Sequence, residues 1–452
     1  MSTYRSDHAW QPHGWETGVG WQVDDACFAA VTEAEAASGG QRLGGWVLPG
    51  MPNLHSHAFQ RAMAGLAEHQ THSDDSFWTW RETMYAFAGR IGPDELRAIA
   101  AQLYVEMLEA GYTQVCEFHY LHHRPDGRPY ADPSEMSLAL IEAARETGIG
   151  LTLLPTLYQT GGFDGRELGE RQRRFGHDTD AYLKLVQRLR GLEDVTLRVG
   201  VALHSLRAVP PASLRAVLDS GLVDQAPIHI HIAEQIGEVQ DCLALRHARP
   251  VEWLLANAPV DARWTLVHAT HLTAQETCGI ASSGAVAGLC PTTEANLGDG
   301  LFPLKEFLAA GGVLGIGSDS HISVSPVEEL RWLEYGQRLI SRHRNIAISD
   351  SSCSVGETLW GDALFGGTRA SGAPLGAIEA GARADLIVLD DAAPQLAARD
   401  AAHLLDTFVF SGNRNLVRDV MVAGRWHVRD GRHVDAPRIA ERYAEALKRI
   451  AA

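Results

Sequence analysis

Lysine is nearly absent from this chain of 452 residues. Only Lys184, Lys305 and Lys448 occur, so arginine supplies almost all of the positive charge. The 39 basic side chains are outnumbered by 56 acidic ones, which gives a formal net charge of −17. An acidic surface argues against nucleic acid and anionic membranes as partners. An anionic substrate would therefore need arginine side chains within its own binding site.

Paired cysteines and long apolar runs are also missing. None of the six cysteines has Cys-x-x-Cys spacing, so neither a disulfide framework nor a thiolate metal site is indicated. The first ten residues lack the apolar core of a signal peptide, and no run of about 18 apolar residues occurs. We therefore expect a protein of the reducing cytoplasm with no membrane partner.

The chain divides into three stretches of different pattern. Hydrophobic residues make up 45% and charged residues 21%, as in ordinary globular proteins, and the length exceeds one small core. Residues 1–48 contain short strand-like segments, 49–372 alternate strands with helices, and 373–452 return to strands before a final helix at 437–451. We predict a central domain at 49–372 and a small β-sandwich that both termini form together.

The central domain carries eight apolar strand patterns separated by helical stretches. One strand precedes His55, and the others lie at 113–118, 151–154, 197–202, 227–231, 265–268, 285–290 and 313–317. In one clear unit, Ser134 is placed to begin a helix and Gly148 to end it, before the strand at 151–154. Such alternation over about 250 or more residues predicts an α/β fold, a (β/α)₈ barrel of the TIM type.

Two histidines, His55 and His57, follow the first barrel strand. Residues two apart on an extended backbone project to the same face, so both imidazoles can bind one metal ion. The pair alone is a weak signal, because two unrelated polar loop residues would look the same. Its weight comes from the partners at the ends of the later strands, where a barrel of this type carries its active site.

Polar or ionisable side chains end six of the strands or follow them closely. In chain order they are His55 and His57, Tyr120, His204 and Arg207, His231 and Glu234, His268, and Asp319. One strand-end histidine is more often structural, but the whole set indicates a site. His231 is the expected third imidazole ligand, and Glu234 is placed to accept a proton from the attacking water and donate one to a leaving nitrogen.

Three of these positions have a second interpretation. His229 lies on the same face as His231 but two residues deeper, so we expect it to be a core residue. Asp319 supplies a carboxylate after Gly315 and Gly317, although Ser-Asp-Ser is also good helix-capping material. His268 either binds the metal or polarises the attacking water or the substrate.

This constellation resembles the amidohydrolase superfamily over nearly the whole chain. The segments that carry the resemblance are 49–65, 76–82, 204–209, 229–235, 293–300 and 315–321. It implies the metal ligands His55, His57, His231 and Asp319, the catalytic residues Glu234, His268 and Asp319, and the substrate contacts Gln60, Arg81, Tyr120, His204 and Arg207. It also implies a homodimer.

One departure separates the branches of that superfamily. Two-metal members use a carbamylated lysine on a mid-barrel strand, whereas the only lysine between His57 and His231 is Lys184, in the predicted helix 180–189. We therefore expect one metal per subunit, as in the deaminase branch, where the His-x-x-Glu pattern also belongs. Zinc is the expected ion, and iron or manganese would also suit a His₃Asp set.

Within that branch, the resemblance implies hydrolysis of N-formimino-L-glutamate to N-formyl-L-glutamate and ammonia, a step of histidine degradation. The two carboxylates of this substrate suit two arginines, because guanidinium binds carboxylate in a two-pronged geometry. Arg207, just past a strand end, favours this role. For Arg81, in a predicted Trp-rich loop, the residues alone indicate binding of a substrate carboxylate and a surface ion pair equally.

Two other functions stay open at this point. One is a related single-metal deaminase that acts on a purine, pyrimidine or triazine, whose pocket would not need two carboxylate-binding arginines. The other, more remote, is a non-enzymatic scaffold, although such proteins usually lack the metal ligands. The residues also leave open whether ammonia or glutamate departs, and only the resemblance indicates ammonia.

Overall fold

The computed structural model describes residues 1–35, 37–69, 77–349 and 352–451, so Ser76 of the segment 76–82 lies outside the described residues. The strands, in chain order, are β1 (Ser2–Gln11), β2 (Gly14–Asp24), β3 (Cys27–Glu33), β4 (Gln41–Arg42), β5 (Trp46–Pro49), β6 (Met51–Ser56), β7 (Tyr112–His119), β8 (Gly150–Leu157), β9 (Leu197–Val199), β10 (Val201–Ser205), β11 (Ile228–Ile232), β12 (Trp264–His268), β13 (Val286–Leu289), β14 (Val313–Ile316), β15 (Leu386–Leu389), β16 (Val417–Val422), β17 (Arg425–Arg429) and β18 (Arg432–His433).

Most of the helices connect consecutive barrel strands. They are α1 (Phe77–Ala88), α2 (Pro93–Ala110), α3 (Glu135–Thr147), α4 (Thr179–Arg190), α5 (Pro211–Leu218), α6 (Ile236–Arg246), α7 (Pro250–Asn257), α8 (Ala274–Ser283), α9 (Pro291–Leu297), α10 (Leu304–Ala309), α11 (Pro326–Ser341), α12 (Val355–Ser371), α13 (Ala401–Phe410) and α14 (Ala436–Ala451). Short 3₁₀ helices lie at Ala58–Met63, Glu170–Phe175 and Pro394–Leu396.

The predicted barrel is confirmed. Its parallel strands pair in the order β6-β7-β8-β10-β11-β12-β13-β14, with β9 beside β8. The predicted strand at 197–202 is interrupted at Gly200 into β9 and β10, so eight strand positions remain. A parallel bridge between Ser56 and Asp319 joins the end of β6 to the segment after β14, and the barrel is nearly closed.

One repeat unit shows how the sequence builds the helical layer. The predicted helix after Ser134 is α3, whose buried apolar face includes Met136 and Leu140. Gly148 follows it with φ +80°, a left-handed conformation that glycine adopts without a steric penalty. Ser134 does not cap the helix with its side chain, because its hydroxyl donates to Asp132 at 2.6 Å instead.

The two termini form a separate sheet, as predicted for the small β domain. Its order is β18-β17-β16-β15-β5-β1-β2-β3, with β4 beside β1. Strand β15, from the end of the chain, pairs antiparallel with β5, from its beginning. Buried side chains from both ends, such as Trp21, Phe28 and Met421, share one core. The domain boundaries at 48/49 and 372/373 stay predictions.

Across the described ranges, we find no helix with the length and apolar character required to cross a membrane.

Helix α12 lies very close to the barrel, and Gly366 is one of the glycines that permit this contact. A Cβ atom at Gly366 would be 1.8 Å from the carbonyl oxygen of Leu314 on β14, whereas a Cβ at Gly361 of the same helix would meet nothing within 4 Å. We expect Gly366→Ala to lower the free energy of unfolding by about 1–3 kcal/mol or more, because backbone must move. Gly361→Ala, the matched control, should raise it by about 0.5–1 kcal/mol. Urea unfolding measures both, and equal stability of the two variants would contradict the close contact.

Candidate active site

The predicted metal ligands lie at one end of the barrel, where its first and last strands meet. His55 lies in β6 and His57 directly after it, while Asp319 follows β14. The main chain links them, since the N–H of Asp319 donates to the oxygen of His55 at 3.0 Å and the N–H of His57 donates to the oxygen of Asp319 at 3.1 Å. Gly317 permits this approach, because a Cβ there would lie 2.7 Å from the Cβ of His55.

The four predicted ligands converge, and all are buried. The Nε2 atom of His231, on β11, lies 3.0 Å from Nε2 of His55 and 3.3 Å from Nε2 of His57. The Oδ1 atom of Asp319 lies 3.4 Å from Nε2 of both His55 and His57. Three imidazoles and one carboxylate, separated by up to 264 positions in the sequence, thus surround one point.

The hydrogen bonds of the imidazole rings indicate which kind of ion could bind at this point. His57 donates its Nδ1–H to the carbonyl of Phe118 at 2.8 Å, and His231 donates its Nδ1–H to the carbonyl of His204 at 2.9 Å. Burial lowers the pKa of both rings and of His55, so the three imidazoles are neutral at neutral pH. In His57 and His231 the single proton is on Nδ1, and Nε2 has a free lone pair. Lone pairs facing one another beside a carboxylate repel unless a cation lies between them. The donor set therefore fits a divalent metal such as zinc.

The residues expected to stay out of this site do so. His229 is fully buried, and its Nε2 hydrogen-bonds the carbonyl of Ala370 at 2.9 Å. Lys184, Lys305 and Lys448 lie on α4, α10 and α14, so no lysine ends a barrel strand. A carbamylated lysine that bridges two metals is therefore absent from this chain.

Glu234 and His268 lie beside the ligands. The Nε2 atom of His268 is 3.9 Å from Oε1 of Glu234 and 3.9 Å from Oδ2 of Asp319. Burial raises the pKa of Glu234, and Asp319 adds to this effect while His268 opposes it. Burial lowers the pKa of His268, but Glu234, Glu294 and Asp319 together raise it to about 10. A carboxyl that can exchange a proton thus faces an imidazolium that can stabilise negative charge.

The geometry does not exclude His268 as a ligand. Nitrogen atoms of His55, His231 and His268 also lie within 4.8 Å of one another. The Nε2 atom of His268 faces carboxylate oxygens of both Glu234 and Asp319 at 3.9 Å, and this position favours the role beside the metal. Of the two roles that the sequence leaves open for His268, we therefore favour the second.

All five predicted substrate contacts line one pocket above the ligands: Gln60, Arg81, Tyr120, His204 and Arg207. The Nε2 of Gln60 donates to the hydroxyl of Tyr120 at 2.9 Å, which fixes both side chains. The prediction that Arg81 lies in a loop is wrong, because it lies on α1. Its guanidinium is 5.5 Å from the ring centroid of Tyr85. The helical geometry, which the sequence pattern did not reveal, directs Arg81 into the pocket.

Other residues line the same pocket without having been singled out in the sequence: Trp80, Met84, Tyr85, Tyr158, Phe175, Ser205, Glu238 and Leu297. Tyr158 directly follows β8, so the strand-end rule could have found it. Trp80 and Met84 had no such signal, because a loop was expected where α1 forms.

Glu117 supports the His55/His57 segment and was also missed. This buried carboxylate on β7 accepts the hydroxyl of Ser56 at 2.6 Å and the N–H of Ala58 at 2.7 Å. It therefore holds the chain on both sides of His57. Burial raises the pKa of Glu117 to about 7, although these hydrogen bonds oppose the shift.

Comparison with known proteins agrees with this geometry. The sequence model of the amidohydrolase family matches residues 46–427. The formimidoylglutamate deiminase of Pseudomonas aeruginosa is 55% identical over 449 residues, which cover 99% of both chains. A crystal structure of an amidohydrolase from Brucella melitensis matches with a TM-score of 0.94 and 44% identity over 100% of both chains. Atrazine chlorohydrolase from Arthrobacter aurescens in complex with zinc, 21% identical with a TM-score of 0.85 over 99% of this chain and 100% of that one, shares the fold.

The neighbouring histidines of β11 give a matched test of the metal site. We expect His231→Asn to weaken binding of zinc by at least about 100-fold, because it removes a ligand. His229→Asn should leave zinc affinity unchanged, because His229 bonds only to the carbonyl of Ala370 among its described hydrogen-bond partners. Metal analysis after equilibrium dialysis against a zinc buffer measures both. Equal zinc binding by the two variants would contradict the assignment.

Proposed function

Because the chain belongs to the amidohydrolase family, we propose that it hydrolyses N-formimino-L-glutamate to N-formyl-L-glutamate and ammonia. It is a hydrolase of a carbon–nitrogen bond, as its 55% identity to a formimidoylglutamate deiminase requires. The observation that carries the substrate is the pair Arg81 and Arg207, which line the pocket that Glu234 and the ligand cluster also line. A substrate with two carboxylates fits that arrangement, because the arginines can bind the carboxylates while the formimino group lies next to the metal site.

The proposed cofactor is one zinc ion per chain, held by His55, His57, His231 and Asp319. The donor set supports this assignment, and an iron or manganese ion would find the same ligands. A bound cation supplies a Lewis acid that lowers the pKa of water and so prepares it to attack the formimino carbon. The homodimer and the cytoplasmic location stay predictions from the sequence.

The chain's own residues would then move the protons. Glu234 accepts a proton from the attacking water, and Asp319 shares in this transfer. His268 directs its Nε2–H toward the reaction centre and stabilises the charge that develops as the carbon becomes tetrahedral. The two protons of the water then pass to the terminal nitrogen, one through Glu234 and one, released by the added hydroxyl as the carbonyl forms, through Asp319. That nitrogen leaves as ammonia, and the carbon retains its bond to the nitrogen of glutamate.

The direct test is an assay of ammonia release with identification of the carbon product. We expect zinc-loaded protein to convert N-formimino-L-glutamate to ammonia and N-formyl-L-glutamate, with little turnover of guanine or cytosine, because neither base presents two carboxylates. Formamide and glutamate as products would contradict the proposed bond cleavage. Faster turnover of either base would favour a ring deaminase instead.

Arg207 gives a test of the carboxylate-binding pocket. Arg207→Met should raise KM for N-formimino-L-glutamate by about 10- to 150-fold, the value of a lost charged hydrogen bond. Arg215→Met on the exposed side of α5 is the matched control, and its KM should stay that of the unsubstituted enzyme. Steady-state kinetics measure both variants. An unchanged KM in Arg207→Met would remove this arginine from substrate binding.

A further inference from the structure

The segment 293–300 is the one matched motif that the proposed reaction leaves without a role. It comprises the last five residues of α9 and the three residues after that helix, and it contains none of the proposed metal ligands. Two of its residues nevertheless contact groups of the active site: Thr293 contacts the segment around Asp319, and Glu294 contacts His268. What α9 does for the reaction can therefore be argued from these contacts.

Glu294 is a buried carboxylate on the far side of His268 from the metal ligands. Its Oε1 lies 3.3 Å from Nδ1 of His268 and accepts the N–H of Cys290 at 2.9 Å. Because this oxygen already accepts the N–H of Cys290, it acts as an acceptor, and Nδ1 of His268 beside it is assigned as the donor. The other ring nitrogen, Nε2, then points to Glu234 and Asp319, 3.9 Å from a carboxylate oxygen of each.

The backbone at His268 is in a conformation that needs such support. His268 has φ +69° and Ala269 has φ +48°, both in the left-handed region that residues with a Cβ rarely occupy. Consecutive residues of this kind persist only where surrounding contacts fix them, and they cluster at functional sites. For the imidazole itself, Glu294 provides the contact on the side opposite the pocket.

The first turn of α9 is itself firmly anchored. Glu329 of α11, which is fully buried, accepts the N–H of Thr292 at 2.9 Å and its hydroxyl at 2.6 Å. Thr293 accepts the N–H of Ser320 at 3.3 Å with its hydroxyl oxygen. A turn held by Glu329 thus contacts the segment that carries Asp319 as well as His268.

We propose that Glu294 is a positioning residue, which acts through His268 by fixing its ring with Nδ1–H toward α9 and Nε2 toward the reacting group. The expected effect of this role on turnover rests on the proposed function, whereas the contact between Glu294 and His268 does not depend on it. Atoms of His268, Cys290 and Glu294 also lie within 4.8 Å of one another. A second cation there is disfavoured, because burial raises the pKa of the Cys290 thiol and keeps it protonated.

Kinetics of Glu294→Gln and Glu329→Gln separate positioning from support of the fold. Both variants replace a buried carboxylate by its isosteric amide on either side of the same helical turn. We expect Glu294→Gln to lower kcat by about 10- to 100-fold with little change in KM, because an amide oxygen holds the Nδ1–H of His268 more weakly than a carboxylate does. Glu329→Gln should retain kcat within about threefold, because it does not contact His268. An equal loss in both variants, or no loss in Glu294→Gln, would overturn the proposal.

A double-mutant cycle tests whether Glu294 acts through His268. His268→Asn alone should be strongly impaired, and adding Glu294→Gln to it should cause no further loss of kcat, because the imidazole to be positioned is gone. Independent, multiplying losses would overturn the proposal. Zinc content of each variant is measured alongside and should stay that of the unsubstituted protein.

A spectroscopic measurement needs no substrate and so distinguishes failure of this proposal from failure of the proposed function. In zinc-loaded protein labelled with ¹⁵N-histidine, the Nδ1–H of His268 should give a protected ring-proton resonance, assigned by its loss in His268→Asn. It should persist in Glu329→Gln and disappear in Glu294→Ala, where no acceptor remains. Persistence in Glu294→Ala would overturn the proposal, whatever substrate the enzyme turns over.

Discussion

Repulsion between the facing Nε2 atoms of His57 and His231 is the interaction on which the site depends. Both rings use their only proton on a main-chain carbonyl, so their unprotonated nitrogens meet at 3.3 Å. Nε2 of His55 lies 3.0 Å from Nε2 of His231, and a carboxylate oxygen of Asp319 faces the same point. A divalent cation held there, as proposed, would relieve this repulsion through its four ligands.

Three of these residues, His55, His57 and Asp319, help to close the barrel. The segments of β6 and β14 meet through the hydrogen bonds between Asp319 and the His55–His57 backbone, and glycine at position 317 permits that distance. The contacts that bring the first and last strands together are therefore the contacts that set the ligand geometry. A change that opens this seam would disturb the metal site even if every ligand side chain were kept.

Two buried carboxyl groups support the residues of the site from behind. Glu117 accepts hydrogen bonds from the hydroxyl of Ser56 and the N–H of Ala58, on both sides of His57. Glu294 accepts the N–H of Cys290 and contacts Nδ1 of His268. Each carboxyl group thus has specific hydrogen-bonding partners among the described residues, as a buried polar group requires.

Much of the fold and the convergence of the four proposed metal ligands could be predicted from the sequence because both depend on local patterns. Alternation of strands and helices fixes the barrel, and strand ends share one mouth, so distant residues such as His57 and Asp319 could be placed together. Glu117 and Glu294 could not, since one lies inside a strand and the other in a helical turn, where the neighbouring residues do not reveal a partner 26 or more positions away. The helix that carries Arg81 and the interruption at Gly200 likewise depend on tertiary packing.

Anomalous diffraction from crystals of the zinc-loaded protein is the most direct test of this account. It predicts one zinc peak at the mouth of the barrel, about 2.0–2.2 Å from the three Nε2 atoms and from a carboxylate oxygen of Asp319. A peak elsewhere, or none between His55, His57 and His231, would contradict it.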